Sequence, residues 1–353
     1  MSSTIRPKPP YYDPRQWELR WHPLRGEWVI VSAHRDTRPW HGARLAEPTA
    51  EPKHDPVCYL CPGNVRANGE VNPAYAGTFV FDNDFPPTGP AAPRATSAHR
   101  MYRAMPAAGR CRVLCFHPRH DLSLARMALP DIRRVVTTWQ DEYRRLGAEP
   151  DIKYVLIFEN KGKAVGVSNQ HPHGQIYGTN FVFSLVMREM RRSRAHLRRH
   201  GIALYRAVIE QEIADECRVI ARNRSMIAFV PYFARYAYEV QIAPMESRPS
   251  VADLDAAEVE DFAAILKTVL CKYDNLWQMP FPYVMAFHQA PTDGRPHPEC
   301  HFHVEFMPPL RNPEMLKYLA GPEIGGGNML LDVSPEEKAK ELQAASPLHY
   351  LDR

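Results

Sequence analysis

The chain has 353 residues, 44% hydrophobic and 24% charged, with 44 basic against 40 acidic side chains and a formal net charge of +4. That length supports two domain-sized cores or one fused domain, the composition is that of a soluble globular protein, and the charge balance is too even to argue for nucleic acid while suiting an anionic small substrate. No run approaches the length of a transmembrane helix, Met1–Gln16 carries no apolar stretch of the secretory kind, and seven cysteines without a disulfide framework predict a reducing, cytoplasmic protein.

Prolines crowd the first 110 residues and positions 280–312, which predicts loops and chain crossings there. Arg112-Val113-Leu114-Cys115-Phe116 reads as a strand ending at Pro118. A helix is predicted from about Pro130 to Leu146, because Ile132, Val135, Val136, Trp139, Tyr143 and Leu146 follow helical spacing. Proline at its start suits the first helical position. A strand follows at Tyr154–Phe158, then the polar turn Glu159-Asn160-Lys161-Gly162, then His171-Pro172-His173-Gly174-Gln175. An Arg-rich helix from about Phe183 to Arg199 reads as a solvated face, with an anion site as the alternative.

The same layout then recurs. Glu239–Ala243 is strand-like and ends at Pro244, a helix runs from about Ala256 to Leu276, and a strand at Tyr283–Phe287 leads to His301-Phe302-His303-Val304-Glu305. The offset is about 126 residues before the helix and 129–130 after it. Two tandem strand–helix–strand–strand units are therefore expected, giving an α+β fold with a largely antiparallel sheet flanked by helices. The boundary is placed at 1–180 for the first unit and 181–353 for the second. Gly325-Gly326-Gly327 reads as a flexible loop, and Ser334 with Glu337 predicts a capped helix at Pro335–Ala345.

The chemistry lies in the loops and strand starts. Cys58-x-x-Cys61 can share one tetrahedral ion, or form a redox pair. With no second cysteine pair at that spacing, the remaining ligands should be His or carboxylate, and His120 and His171 are the candidates. Four protein ligands would make a closed, structural zinc site. His173 is the candidate nucleophile, since a neutral imidazole attacks phosphorus and later leaves. On a strand it would share a face with His171. Gly174 would permit close approach of a ligand, and Gln175 could donate to a phosphoryl oxygen as charge develops. His288, His301 and His303, with Glu189, form a second set suited to iron or zinc, the alternative being a hydrogen-bonded cluster without metal. Arg35 and Arg38 form a phosphate-binding fork on spacing, or ordinary surface charge. Phe81-Asp82-Asn83-Asp84-Phe85 mixes groups that can hold a ribose and stack a base.

Taken in order, Trp28–Arg35, Arg38-Pro39-Trp40, Cys58-x-x-Cys61-Pro-Gly-Asn, Asn83-Asp84-Phe85-Pro86, Glu159–Gly162 and Ser168–Gln175 resemble the galactose-1-phosphate uridylyltransferase family of the histidine-triad superfamily. Val230-Pro231-Tyr232, Tyr273–Leu276, His288 and His301-Phe302-His303 extend the resemblance over nearly the whole chain. It implies a ping-pong reaction in which His173 takes UMP from UDP-glucose and passes it to galactose 1-phosphate, with Gln175 steadying the phosphoryl oxygens. It further implies that Asn83 and Asp84 hold uridine, that Asn160 and Ser168 lie near the phosphates, and that Arg35 and Arg38 serve the sugar phosphate. Zinc would sit on Cys58, Cys61, His120 and His171, and iron or zinc on Glu189, His288, His301 and His303. The family is dimeric, with Lys317 and Glu323 reaching the partner's hexose.

The chain departs from the family pattern at His41, Gln170 and Pro322, where Gln, Pro and Tyr are usual. These positions bear on the acceptor sugar. Competing readings are a relative that uses an ADP-sugar, a hydrolase that releases nucleotide, and a zinc-organised nucleic-acid-binding module. Near-neutral charge and the lack of a basic face with interleaved aromatics weigh against the last.

Overall fold

The computed structural model describes residues 17–33, 35, 51–94, 101–167 and 169–353. In chain order they form β1 (Trp17–His22), β2 (Glu27–Ser32), β3 (Phe79–Asp82), β4 (Gly109–Cys115), α1 (Leu129–Gly147), β5 (Tyr154–Lys161) and β6 (His173–Thr179). Then come α2 (Ser184–His200), α3 (Leu204–Asp215), β7 (Val219–Arg222), β8 (Met226–Phe229), β9 (Val240–Pro244), α4 (Ala256–Trp277), β10 (Tyr283–His288) and β11 (His303–Met307). The chain closes with β12 (Leu310–Asn312), β13 (Met315–Leu316), β14 (Leu330–Leu331) and α5 (Pro335–Ala344).

The expected repeat is visible as geometry. Nine strands form one sheet in the order β3-β4-β6-β5-β10-β11-β9-β8-β7. All of its neighbours pair antiparallel. Within it, β4-β6-β5 of the first unit is mirrored by β9-β11-β10 of the second, and the halves join where Ala286 pairs with Phe158 and Tyr283 with Lys161. His173 opens β6 and His303 opens β11, so the two histidines hold equivalent places.

Alternation along the strands sorts side chains between faces. On β8, Met226 and Ala228 enter the main core, while Ile227 and Phe229 pack with Leu24, Leu204, Tyr205 and Ile209 on the other side. On β4, Leu114 enters the main core, while Val113 and Cys115 join Cys58, Leu60, Cys61 and Phe81. The main core lies between the sheet and the apolar stripes of α1 and α4. Trp139 of α1 meets Phe116 edge-on at 5.8 Å and Phe287 at 4.9 Å, so one indole spans both halves of the sheet.

Helix α4 starts with a full capping box. Asp255 accepts from the Ala257 and Glu258 N–H groups, and Glu258 reaches back to the Asp255 N–H. The box expected at Ser334 does not form. Ser334 holds the N-cap position, but its hydroxyl donates to Glu336 at 2.7 Å, and Glu336 is itself held by Arg20 and Arg218. The glycine run expected as a flexible loop begins inside a tight helical turn, Gly321–Gly325, closed by Ile324 N–H to the Ala320 carbonyl. The arginines of α2 serve neighbouring protein groups: Arg188 meets Glu27, Arg192 donates to the Pro23 carbonyl, and Arg194 meets Glu299. No helix among the described residues is long and apolar enough to cross a membrane.

Candidate active site and metal centres

Strand β6 begins only at His173, so His171 lies in the turn before it and the two rings take different surroundings. His171 is 1% exposed and turns into the third apolar cluster. There the ligand atoms of Cys58, Cys61, His120 and His171 lie within 4.8 Å of one another. Cys61 Sγ is 3.5 Å from His171 Nδ1 and 3.7 Å from His120 Nδ1. A tetrahedral zinc with ordinary Zn–S and Zn–N bonds requires such edges to be about 3.5 Å.

The surroundings select the liganding atoms. Tyr75 donates its hydroxyl to the Leu60 carbonyl at 2.6 Å and so accepts from His171 Nε2 at 3.0 Å, leaving the Nδ1 lone pair toward Cys61. Glu51 lies 3.6 Å from His120 Nε2 and orients that ring likewise. Asn169 accepts the His171 N–H through Oδ1 and presents its Nδ2 to Cys58 Sγ at 3.2 Å. The Leu60 N–H also points at Cys58 Sγ. Burial, with Cys58 beside it, pushes the Cys61 thiol up to about 11, and burial, with the neighbouring His120 and His173, drives His171 down to about 3. Two thiols that a divalent cation would deprotonate on binding, beside imidazoles with a free lone pair, fit a metal. Tyr75 and Glu51 escaped sequence reasoning, since neither carries a metal-binding spacing.

His173 is half-buried and lines three cavities, of 390, 290 and 180 Å³. Its Nδ1 lies 2.7 Å from the His171 carbonyl, an acceptor only, so Nδ1 carries the proton and Nε2 keeps its lone pair. Burial lowers its pKa, which keeps the ring neutral at pH 7. The 290 Å³ cavity is walled by Tyr59, Phe81, Asn83, Asp84, Phe85 and Gln175, a nucleotide-sized space with aromatic sides and polar ends. Asp84 is braced by Arg66, which also lies over the Phe81 ring. Asn160 borders the other two cavities. Gly174 answers to the core: a Cβ there would stand 2.9 Å from the Phe116 ring and 3.0 Å from the Phe158 carbonyl. Gly174 also borders the 180 Å³ cavity, so the core contact stands beside the ligand-facing reason expected for it.

Arg35, Lys317 and Glu323 line none of these cavities. They gather along β14 instead. Arg35 donates to Asp332 at 2.7 Å, and Lys317 donates to Glu323 at 2.9 Å and to the Leu330 carbonyl at 2.6 Å. Arg38, Ser168 and His41 lie outside the described residues.

In the second unit, ligand atoms of Glu189, His288 and His303 converge within 4.8 Å. They border a 30 Å³ cavity, room for one ion or one water, with Cys300 and His301 in its wall. The fourth expected ligand, His301, borders the same cavity but is not among the three that converge: its Nε2 meets the Pro244 carbonyl at 2.8 Å, and its buried Nδ1 has no hydrogen-bond partner among the described residues. His288 also contacts Glu305, which is clamped by Arg25 at 2.6 Å and Arg235 at 3.3 Å. Burial opposes its charge, but Glu189 and Glu305 carry its pKa to about 9. His303 lies flat against Tyr205 of α3, ring centroids 4.0 Å apart.

A doubled antiparallel unit that presents a neutral imidazole to a nucleotide-sized cavity has the makings of a nucleotidyl-transferring enzyme. Residues 12–182 match the N-terminal domain of galactose-1-phosphate uridyl transferase, and residues 189–353 match its C-terminal domain. The chain belongs to the galactose-1-phosphate uridylyltransferase family. It is 39% identical to the galactose-1-phosphate uridylyltransferase of Rattus norvegicus, over 94% of this chain and 88% of that one. It is 38% identical to the enzyme of that name from Haemophilus influenzae, over 95% and 96%. A solved uridylyltransferase superposes with a TM-score of 0.76 at 32% identity, covering 92% of this chain and 97% of that one. An ADP-glucose phosphorylase from Arabidopsis thaliana, at 22% identity and a TM-score of 0.74 over 94% and 99%, shares the fold.

Proposed function

We propose that the chain exchanges UMP between UDP-glucose and galactose 1-phosphate through a covalent histidine intermediate. The observation that carries this reading is the pinned tautomer of His173, whose Nδ1 proton is held by the His171 carbonyl while Nε2 has no hydrogen-bond partner among the described residues and the ring lines the cavities. Nε2 attacks the α-phosphorus, a P–N bond forms, and the bond from that phosphorus to the bridging oxygen breaks to release glucose 1-phosphate. A phosphate oxygen of galactose 1-phosphate then attacks the same phosphorus, the P–N bond breaks, and UDP-galactose leaves. Gln175 donates to the phosphoryl oxygens, Asn83 and Asp84 receive the uridine, and Asn160 serves the phosphates, a role the family resemblance extends to Ser168.

Zinc is the metal we assign to Cys58, Cys61, His120 and His171, where it would tie the N-terminal loops to the start of β6. A second ion, iron or zinc, would be held by Glu189, His288 and His303, with His301 in the same cavity wall as the fourth candidate. Residues 1–180 then supply the nucleophile and zinc site, and residues 181–353 the second metal site and sugar-binding segment. Because Lys317 and Glu323 line none of the cavities at His173 in one chain, we read the enzyme as a homodimer in which these two reach the partner's hexose, while Arg35 and Arg38 serve the sugar phosphate. Seven unpaired cysteines favour a cytoplasmic setting.

The test is intact mass after incubation with UDP-glucose, or with ADP-glucose, without acceptor and under mildly alkaline conditions. A UMP adduct that is absent in His173→Gly supports the proposal. An AMP adduct would move the nucleotide preference to adenine, and no adduct from either donor would overturn it.

A further inference from the structure

Gln175 can steady a phosphoryl oxygen only through its N–H₂ side, because an inverted amide would aim a carbonyl oxygen at the phosphate. The surrounding hydrogen bonds decide which end faces the cavity, and they start from a group with no freedom. The Phe85 backbone N–H donates to Asn83 Oδ1 at 2.9 Å. A backbone N–H is a donor only, so the Asn83 oxygen must face it and Asn83 Nδ2 must face away. That Nδ2 donates to Gln175 Oε1 at 3.3 Å. The Tyr177 hydroxyl donates to the same oxygen at 2.9 Å. Both acceptor directions of Oε1 are then taken, and Gln175 Nε2 makes no hydrogen bond among the described residues.

Strand alternation brings the participants together. His173, Gln175 and Tyr177 alternate along β6 with the buried Gly174, Ile176 and Gly178, so all three share the cavity face. Tyr177 is itself held: the Phe158 ring meets it edge-on at 5.0 Å. Burial, then the nearby Cys111, raises its pKa, so the hydroxyl stays protonated as a donor.

We propose that Tyr177 is a positioning residue for the transfer, which with Asn83 locks the Gln175 amide so that its N–H₂ group faces the phosphorus bound at His173. Asn83 thereby acts on Gln175 as well as on the nucleotide. The proposal rests on the transferase reading given above.

The test pairs kinetics with a signal that needs no turnover. Tyr177→Phe keeps the ring and removes one of two donors, leaving the longer Asn83 bond alone. The rate of uridylylation should fall about tenfold, one order below the direct loss of a transition-state donor, with KM for UDP-glucose changed less than twofold. In a Gln175→Ala background the same substitution should have no further effect. With selectively ¹⁵N-glutamine-labelled protein, the Gln175 side-chain N–H₂ pair, assigned by its loss in Gln175→Ala, should broaden or shift toward the solvent position in Tyr177→Phe. An unchanged rate with an unchanged amide signal overturns the proposal, as does an equal rate loss in both backgrounds. If the wild-type protein forms no adduct, the transferase reading fails, and the amide signal still decides whether Tyr177 holds Gln175.

Discussion

Tyr75→Phe isolates the contribution of one hydroxyl to the Cys58/Cys61/His120/His171 centre. The ring is kept, and with it the stacking on Phe79 at 5.0 Å. What disappears is the donation to the Leu60 carbonyl at 2.6 Å and the acceptor for His171 Nε2 at 3.0 Å. His171 is 1% exposed, so water does not replace that acceptor. A buried donor left unpaired costs about 1–3 kcal/mol. The same loss viewed from the metal is a 10- to 100-fold weaker affinity, about 1.4–2.7 kcal/mol, the usual effect of removing a group that orients a liganding histidine. The two estimates agree because they describe one bond. Chelator competition on protein reconstituted with zinc should therefore show the added ion held about 10- to 100-fold less tightly, with the melting temperature of the loaded protein lowered by a few degrees. An affinity within twofold of wild type would refute the reasoning, since the His171 tautomer would then be fixed without Tyr75.

His171→Ala should remove the metal and stability together; unchanged metal content and melting would mean that the group holds no ion. Glu159 is buried, and burial outweighs Lys161 and Tyr283 to raise its pKa to about 7. The folded chain thus holds this proton more tightly than the unfolded one, and stability from this group is greatest below the ordinary value of 4.5 and declines as pH rises to about 7. Glu159→Gln should therefore gain on wild type by on the order of 2–3 kcal/mol between pH 5 and pH 8 in urea unfolding, and an equal difference at both would contradict the assignment. Trp139→Ala should cost about 3–5 kcal/mol, read by the same method, because it empties the junction between Phe116 and Phe287; a loss under about 1 kcal/mol would show that the core closes over the gap.

The core face of both long helices was legible because burial on a sheet imposes its period directly: every residue of the Ile132–Leu146 stripe is buried in α1. The two-unit architecture was legible because the repeat preserves spacing. The metal-binding group under His171 came from ligand chemistry and loop positions, and its four residues do converge. Other features depend on partners distant in sequence. Strand β14 pairs parallel with β2 across the length of the chain, which no local pattern announces. The β7–β8 hairpin and α3 drew no expectation from the sequence, because α3 lacks a one-sided stripe and buries Glu212 among its apolar residues. His301 illustrates the limit of strand alternation. The rule of shared faces, expected for His171 and His173, holds only within a strand, and both β6 and β11 start at the second histidine of the pair. Gln175 was legible as a donor, whereas the orientation of its amide depends on Asn83 and Tyr177, which only folding assembles.

The ring of Tyr205 has a consequence for stoichiometry. His303 stands in the second unit where His173 stands in the first, yet the space before it holds the flat phenol of α3 in place of a nucleotide-sized void. The molecule in effect carries its own plug in one of two duplicated sockets. A chain built from two units should thus bind a single nucleotide, at the open socket beside His173.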